Sequence, residues 1–260
     1  MAMTRQVVAL AFLAAAAAAM PAAAVQGSIS TKADTKSGEI KWQSRSKSYV
    51  LSYKKGNTDV SAEFPLADVE GLDIKKPAGF DKAVELVEKG QGAAAIATLQ
   101  KIVSDYKMLV WDKPAGRYLA LAYIAAGQLQ KAYDTCTAII AEDKKAAYTG
   151  DLAYAYWQTL LRLGKKDVLE SSLKKAVSSG DRAASAAAQL MRGDIIMAGG
   201  DGNEVVKQAL RDGYLRVVLM YREPECAAVR ADAMLKAAAC FEKIGQASRG
   251  ERLRAQAKAL

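Results

Sequence analysis

From residue 80 onward the apolar positions recur in blocks, each centred on a glycine. Ala120 and Tyr123 stand seven and four places before Gly127, and Ala132, Cys136 and Ile139 stand five, nine and twelve places after it. Gly90 and Gly164 lie 37 residues to either side and keep the spacing, with Ala83, Leu86, Ala95, Leu99 and Ile102 in one frame and Trp157, Leu160, Leu169, Leu173 and Ala176 in the other. Offsets of three and four put residues on one helical face. Each block therefore predicts a helix, a turn at the glycine and a second helix leaning on the first. Looser blocks are centred on Gly200, with Gly193 and Ile196 before it, and on Gly245, with Ala238 and Phe241 before it. The last interval is 45 residues, which predicts an insertion that lengthens a helix or loop without breaking the stack. A period of this length marks a solenoid of stacked repeats. The fold class expected is mainly α, an α-solenoid of about five helix pairs.

Before residue 77 the period changes to alternation: Ile40 and Trp42, then Tyr49, Leu51 and Tyr53, then Val60, Ala62 and Phe64. These read as half-buried strands, and Lys55-Gly56-Asn57 is a hairpin turn because Gly and Asn tolerate positive φ. Residues 25 to 76 thus form a small all-β module, which resembles an SH3-like or Sm-like barrel over about fifty residues. The alternative is a small sheet packed on the first helix pair, since so short an all-β unit is marginal alone. Lys75-Lys76-Pro77-Ala78-Gly79 reads as a linker, and the repeats occupy residues 79 to 260.

The spacing of Ala120, Tyr123 and Ala132, with Ala83, Gly193 and Ala238 repeating the first small position, resembles the tetratricopeptide repeat (TPR) family. Trp157 departs from that pattern by standing where a small residue is expected, so the third unit should splay or shift to house an indole. Lys144 stands where the family usually closes a unit with proline. The resemblance implies that the first helix of each pair lines a concave face on which a protein partner lies. By position, the implied contacts are Arg117 and Leu121, then Tyr154, Gln158 and Leu161, then Asp194 and Met197, then Leu235 and Glu242. Tyr154, Tyr156 and Trp157 crowd one helix and form a candidate recognition anchor. Nothing in the repeats names the partner.

Residues 1 to 24 hold Arg5 in a polar start, an apolar run over residues 7 to 20, then Pro21 and Ala22-Ala23-Ala24. This is the pattern of a bacterial-type secretory signal peptide cleaved before Val25, with an apolar run too short for an ordinary membrane span. Export then means the periplasm or beyond. Loss of that segment removes one arginine and leaves 36 basic against 28 acidic residues, a spread surface charge rather than a nucleic-acid site. The apolar content of 51% indicates a globular chain.

Candidate catalytic chemistry is sparse. The absence of histidine excludes His-based triads and imidazole acid-base catalysis. Two S-x-x-K matches, Ser104 to Lys107 and Ser171 to Lys174, lack the S-D-N and K-T-G partners that give the motif meaning. The stretch from Gly199 to Glu204 invites a calcium loop, but Val205 and Val206 occupy positions that need an oxygen ligand and a glycine, and a turn with Asn203 as helix cap accounts for it. No paired acidic constellation supports an envelope hydrolase using carboxylates. The chain reads as a non-enzyme with no metal and no cofactor, an exported scaffold or an assembly factor for outer-membrane or cell-wall machinery. Cys226 and Cys240 fall on one helix about 21 Å apart, beyond disulfide reach, and Cys136 takes a packing position, so three buried free thiols are expected. The C-terminal tail carries Arg249, Arg252, Arg254 and Lys258 against Glu251 alone. It reads as an amphipathic cap on the array, or as a contact with anionic envelope surface.

The leader makes a direct prediction: intact mass of the protein purified from an exporting host should correspond to a chain starting at Val25. A mass retaining residues 1 to 24 contradicts it.

Overall fold

A computed structural model describes residues 25 to 260; the signal-peptide reading concerns residues 1 to 24 and lies outside them. The chain starts with five antiparallel strands, β1 (Val25–Thr31), β2 (Thr35–Gln43), β3 (Ser48–Lys55), β4 (Thr58–Pro65) and β5 (Val69–Ile74). Their order in the sheet is β4-β3-β2-β1-β5, a meander whose last strand returns beside the first. Gly56 at φ 63° closes the β3–β4 hairpin with Asn57, and Lys55 pairs with Thr58 across it. Positive φ at the first turn residue alone is the II′ pattern that suits strand twist. Alternation puts Ile29, Ile40, Trp42, Tyr49 and Leu51 on the buried face. That face does not close on itself. Met108 and Leu109, from the connection between the first two helix pairs, fill it. The β-module thus packs on the first helix pairs through Met108 and Leu109.

Five helix pairs follow: α1 (Phe80–Glu88) with α2 (Gly92–Asp105), α3 (Asp112–Ala125) with α4 (Leu129–Glu142), α5 (Asp151–Arg162) with α6 (Lys166–Ser178), α7 (Arg182–Met197) with α8 (Asn203–Ala209) and α9 (Leu215–Met220), and α10 (Ala227–Lys243) with α11 (Ala247–Lys258). The turn glycines read from the sequence sit between the helices of each pair. At the second pair Gly127 has φ 71°, its N–H bonds to Ile124 O at 3.1 Å and the next N–H, of Gln128, reaches Tyr123 O at 2.8 Å. This doubly bonded left-handed cap satisfies two terminal carbonyls and reverses the chain, and only a residue without Cβ takes it cheaply. Each second helix packs on the first helix of the next pair, so the units stack as a solenoid with one continuous core from Phe80 to Met191.

Two expectations change in detail. The cap of α8 is Gly202, extended at φ −62° and ψ 151°, and Asn203 is already the first helical residue with no side chain capping the helix. Trp157 is fully buried. The eight-residue connection 143–150 contains a 3-10 turn, Lys144–Ala147, whose last carbonyl accepts the indole N–H at 2.9 Å. Ser172 on α6 takes the same N–H at 2.8 Å. The third unit thus houses its indole by a small residue opposite and a turn wrapped over it. The 45-residue interval is absorbed in the fourth unit, where a π turn, Leu210–Tyr214, joins α8 to α9. It lies where Gly213 crosses Gly193 of α7 so closely that a Cβ on Gly213 would meet the Gly193 Cα at 2.3 Å.

The sheet is fastened to the repeats by a strained loop and a buried carboxylate. Met108 and Val110 have φ of 59° and 70°, and Trp111 N bonds Leu109 O at 2.8 Å across Val110, a γ-turn that is unfavourable for a β-branched residue. The strain is held by the Asp112 carboxylate, which accepts from Met108 N at 2.8 Å, by Tyr49 Oη donating to Met108 O at 3.0 Å, and by burial of Leu109. Trp111 donates its indole N–H to Ile74 O at 2.9 Å. At the end of α4, Glu142 accepts from Lys47 at 2.6 Å and from Trp42 Nε1 at 3.2 Å, both on the sheet, and from Lys107 at 2.9 Å. Burial alone would raise its carboxyl; hydrogen bonds from Lys47, Lys107, Ser44 and Trp42 outweigh that and bring it down to about 2.

A carboxyl depressed in the folded state stabilises above its unfolded value and loses that contribution as pH falls through the folded one. The thermal midpoint of the parent should therefore exceed that of Glu142→Gln at neutral pH, and the gap should close as pH falls from about 4.5 to about 2. A gap independent of pH, or none at all, would show that Glu142 does not fasten the sheet.

Candidate functional site

The first helices of the later units lie side by side, α3 against α5, α5 against α7 and α7 against α10. Between them runs a groove of about 340 Å³. Arg117 of α3, Asp151, Ala153, Tyr154 and Trp157 of α5, Ala184, Ala187 and Leu190 of α7, and Val229 and Asp232 of α10 line it, together with Asp181 just before α7. Its size falls in the range of pre-formed ligand sites. The groove follows the N-terminal halves of these helices.

Beside it a hydrogen-bond network ties three units together. Tyr154 of α5 donates to Asp194 Oδ2 of α7, and Tyr214 of the π turn donates to Asp194 Oδ1 at 2.8 Å. Lys236 of α10 reaches both carboxylate oxygens, at 2.9 and 2.7 Å, and also the Tyr154 hydroxyl at 2.7 Å. Burial, then the Asp194 charge and its hydrogen bond, push both phenols far above the ordinary tyrosine value, so they remain protonated donors. A partly buried carboxylate with two phenol donors and an ammonium is fully satisfied, and such a set fixes the relative positions of the helices that supply it. The π turn supplies the second phenol, and the Gly193–Gly213 crossing lets that turn approach α7.

Of the residues expected on the concave face, Arg117 and Tyr154 line the groove and Asp194 lies in the network beside it. Tyr154 is half-buried and its hydroxyl is committed to Asp194 and Lys236, so of its side chain the ring is what faces the groove. Tyr156 and Trp157 of the aromatic cluster are buried, Trp157 completely, which makes packing their main role. Leu121 and Leu161 pack against the main core, and Met197 packs against the core of the last two units. Gln158 is half-buried on α5 away from the groove lining. Leu235 is exposed on α10, and Glu242 is paired with Arg254 of α11 at 2.8 Å. That pair and the burial of Gly250 against α10 seat the C-terminal helix on the array.

Asp151, Asp181, Val229, Asp232 and Lys236 escape a frame anchored on the turn glycines. Helices α7 and α10 are 16 and 17 residues long against 12 for α5, and their additional N-terminal turns carry much of the groove wall. On α10 the inward residues are Val229, Asp232 and Lys236, at spacings of three and four, one position out of register with Leu235. One residue is about 100° around a helix, enough to turn a wall residue to solvent. The Asp232–Lys236 pair at i,i+4 is the sequence signal that points to this face. Cys136, Cys226 and Cys240 are all buried and free, and burial raises the Cys136 thiol to about 12.

No protein-family model matches the chain, and no curated protein matches it. Two solved structures align with it, both of a Podosopora anserina kinesin light chain of nearly identical TPR-like repeats, one of them carrying a single substitution. They share 19% and 17% identity, cover 70% of this chain and 92% of theirs, and superpose with TM-scores of 0.40 and 0.39.

Lys236→Met leaves the Asp194 charge facing two neutral donors and should cost about 2 kcal/mol in denaturant unfolding, as expected for losing hydrogen bonds between charged groups at a partly buried site. Tyr154→Phe keeps the ring and should cost about 1.5 kcal/mol for one hydrogen bond to a charged acceptor. Both variants unfolding like the parent would mean that the network does not join the units.

Proposed function

We propose that this chain is a non-enzymatic binding scaffold, exported to the cell envelope, that holds a segment of a protein partner in the groove formed by α3, α5, α7 and α10. The observation that carries this reading is the pairing of a pre-formed groove with a network that fixes its walls. A surface already in its binding shape spends little of its interaction energy on ordering. Ala153, Ala183, Ala184, Ala187 and Ala228 leave room between Tyr154, Trp157 and Leu190 for a partner segment to approach the helices. The leader-like residues 1 to 24 support export. Among the described residues no helix is long and apolar enough to cross a membrane. On this reading the sheet, fastened at the other end of the stack, offers a second docking surface. The basic C-terminal helix caps the array and leaves Arg249, Arg252 and Lys258 without a carboxylate partner among the described residues, so that their charge can meet an anionic envelope surface.

Photo-crosslinking tests the location. A photoreactive residue at Ala187, on the groove, should give a discrete crosslinked partner in cells, and one at Lys174, on the outer face of α6, should not. Ala187→Phe, which fills the groove, should abolish co-purification of that partner while helical content is retained. Equal crosslinking at both positions, or a partner retained by Ala187→Phe, would place binding elsewhere.

A further inference from the structure

Resting on the groove as the binding site, the charges around it say which kind of partner segment fits. Three carboxylates, Asp151, Asp181 and Asp232, and one guanidinium, Arg117, line it. Asp232 has Lys236 at 4.0 Å, but that ammonium lies closer to Asp194, at 2.7 Å, and the Arg117 charge across the groove acts on Asp232 more weakly than Lys236 does. Asp181 spends one oxygen on capping α7, accepting from Ala184 N at 2.9 Å, and keeps the other. Its neighbour Arg182 does not neutralise it, since that guanidinium pairs with Glu223 at 2.8 Å. Asp151 has no cation within 4.0 Å among the described residues. The chain as a whole is basic, at +9, so an acidic groove is a local feature and not a sample of the composition.

We infer that the groove takes a cationic peptide segment, with lysine or arginine heads at Asp151 and Asp232 and their stems along the apolar lining between them. The methyl groups of Ala153, Ala184 and Ala187 and the side chain of Val229 offer apolar surface between the carboxylates. A long cationic side chain suits both parts, since its methylene stem lies on apolar surface while the head stays polar. An acidic segment would place its carboxylates against three of like sign, a penalty that selects against it. Arg117, at the α3 end, is positioned to meet a carbonyl or carboxylate of the same segment and so to set its direction.

The test uses the protein of residues 25 to 260 and three labelled peptides of equal length, of alternating lysine and alanine, glutamate and alanine, and serine and alanine, read by fluorescence anisotropy. The lysine peptide should bind at least tenfold tighter than either of the others. The double variant Asp151→Asn, Asp232→Asn should lose at least fivefold of that affinity, and Ala187→Phe should lose it as well, with unfolding midpoints recorded for each. A lysine peptide that fails to bind, or that binds the double variant as tightly as the parent, overturns the inference. Preference for the glutamate or serine peptide, abolished by Ala187→Phe, also overturns it but leaves the groove as the binding site. Binding of any peptide that is indifferent to Ala187→Phe overturns both.

Discussion

A single carboxylate at the meeting point of three repeat units joins the later half of this molecule. Asp194 accepts from Tyr154 of the third unit, from Tyr214 of the fourth and from Lys236 of the fifth. In a stack of helix pairs each unit otherwise touches only its neighbours, through apolar contacts that tolerate small slips. A charge with directional partners tolerates them less, because a displaced donor leaves a partly buried carboxylate short of a bond. The network therefore converts a flexible stack into a groove of defined width. Features that look unrelated in the chain serve it: the π turn that aims Tyr214, the two glycines at its crossing with α7, and the face of α10 that carries Lys236.

The other end of the stack uses the same principle. Glu142 closes α4 with two ammonium groups and an indole around it, two of the three donors coming from the sheet. The sheet cannot cover its own apolar face, and it obtains a lid from Met108 and Leu109 in a loop whose backbone is strained to present them. The strain is worth holding because it places a fully apolar side chain in the centre of the sheet. Sheet and repeats are in this way one folded body.

The repeats are legible in the sequence because packing has a period. Gly90, Gly127, Gly164, Gly200 and Gly245 each reverse the chain with positive φ, and the residues five, nine and twelve places on are core residues in the regular units. The strands and the Gly56 hairpin follow from alternation and turn chemistry. What the pattern does not carry is anything that links units through different registers. By position in the repeat Asp194 reads as a surface contact, and its partners lie 40 residues before it and 20 and 42 after it, in three different elements. Trp157 stands out as the departure from the pattern, but the small residue that makes room for it, Ser172, is an ordinary serine in the sequence. The loop at Met108 has no glycine to announce its positive φ. Periodic packing is written in one dimension, and the couplings that shape the groove are not.

If the Asp194 network sets the width of the groove, that width should change when the network is broken. Spin labels introduced at Asp151→Cys on α5 and Ala228→Cys on α10, with the native cysteines buried, measure it directly by pulsed electron resonance. The expected result is a single narrow distance distribution in the otherwise unaltered protein and a broadened or shifted one when Lys236→Met is added. An unchanged narrow distribution in that variant would contradict the role given to Asp194.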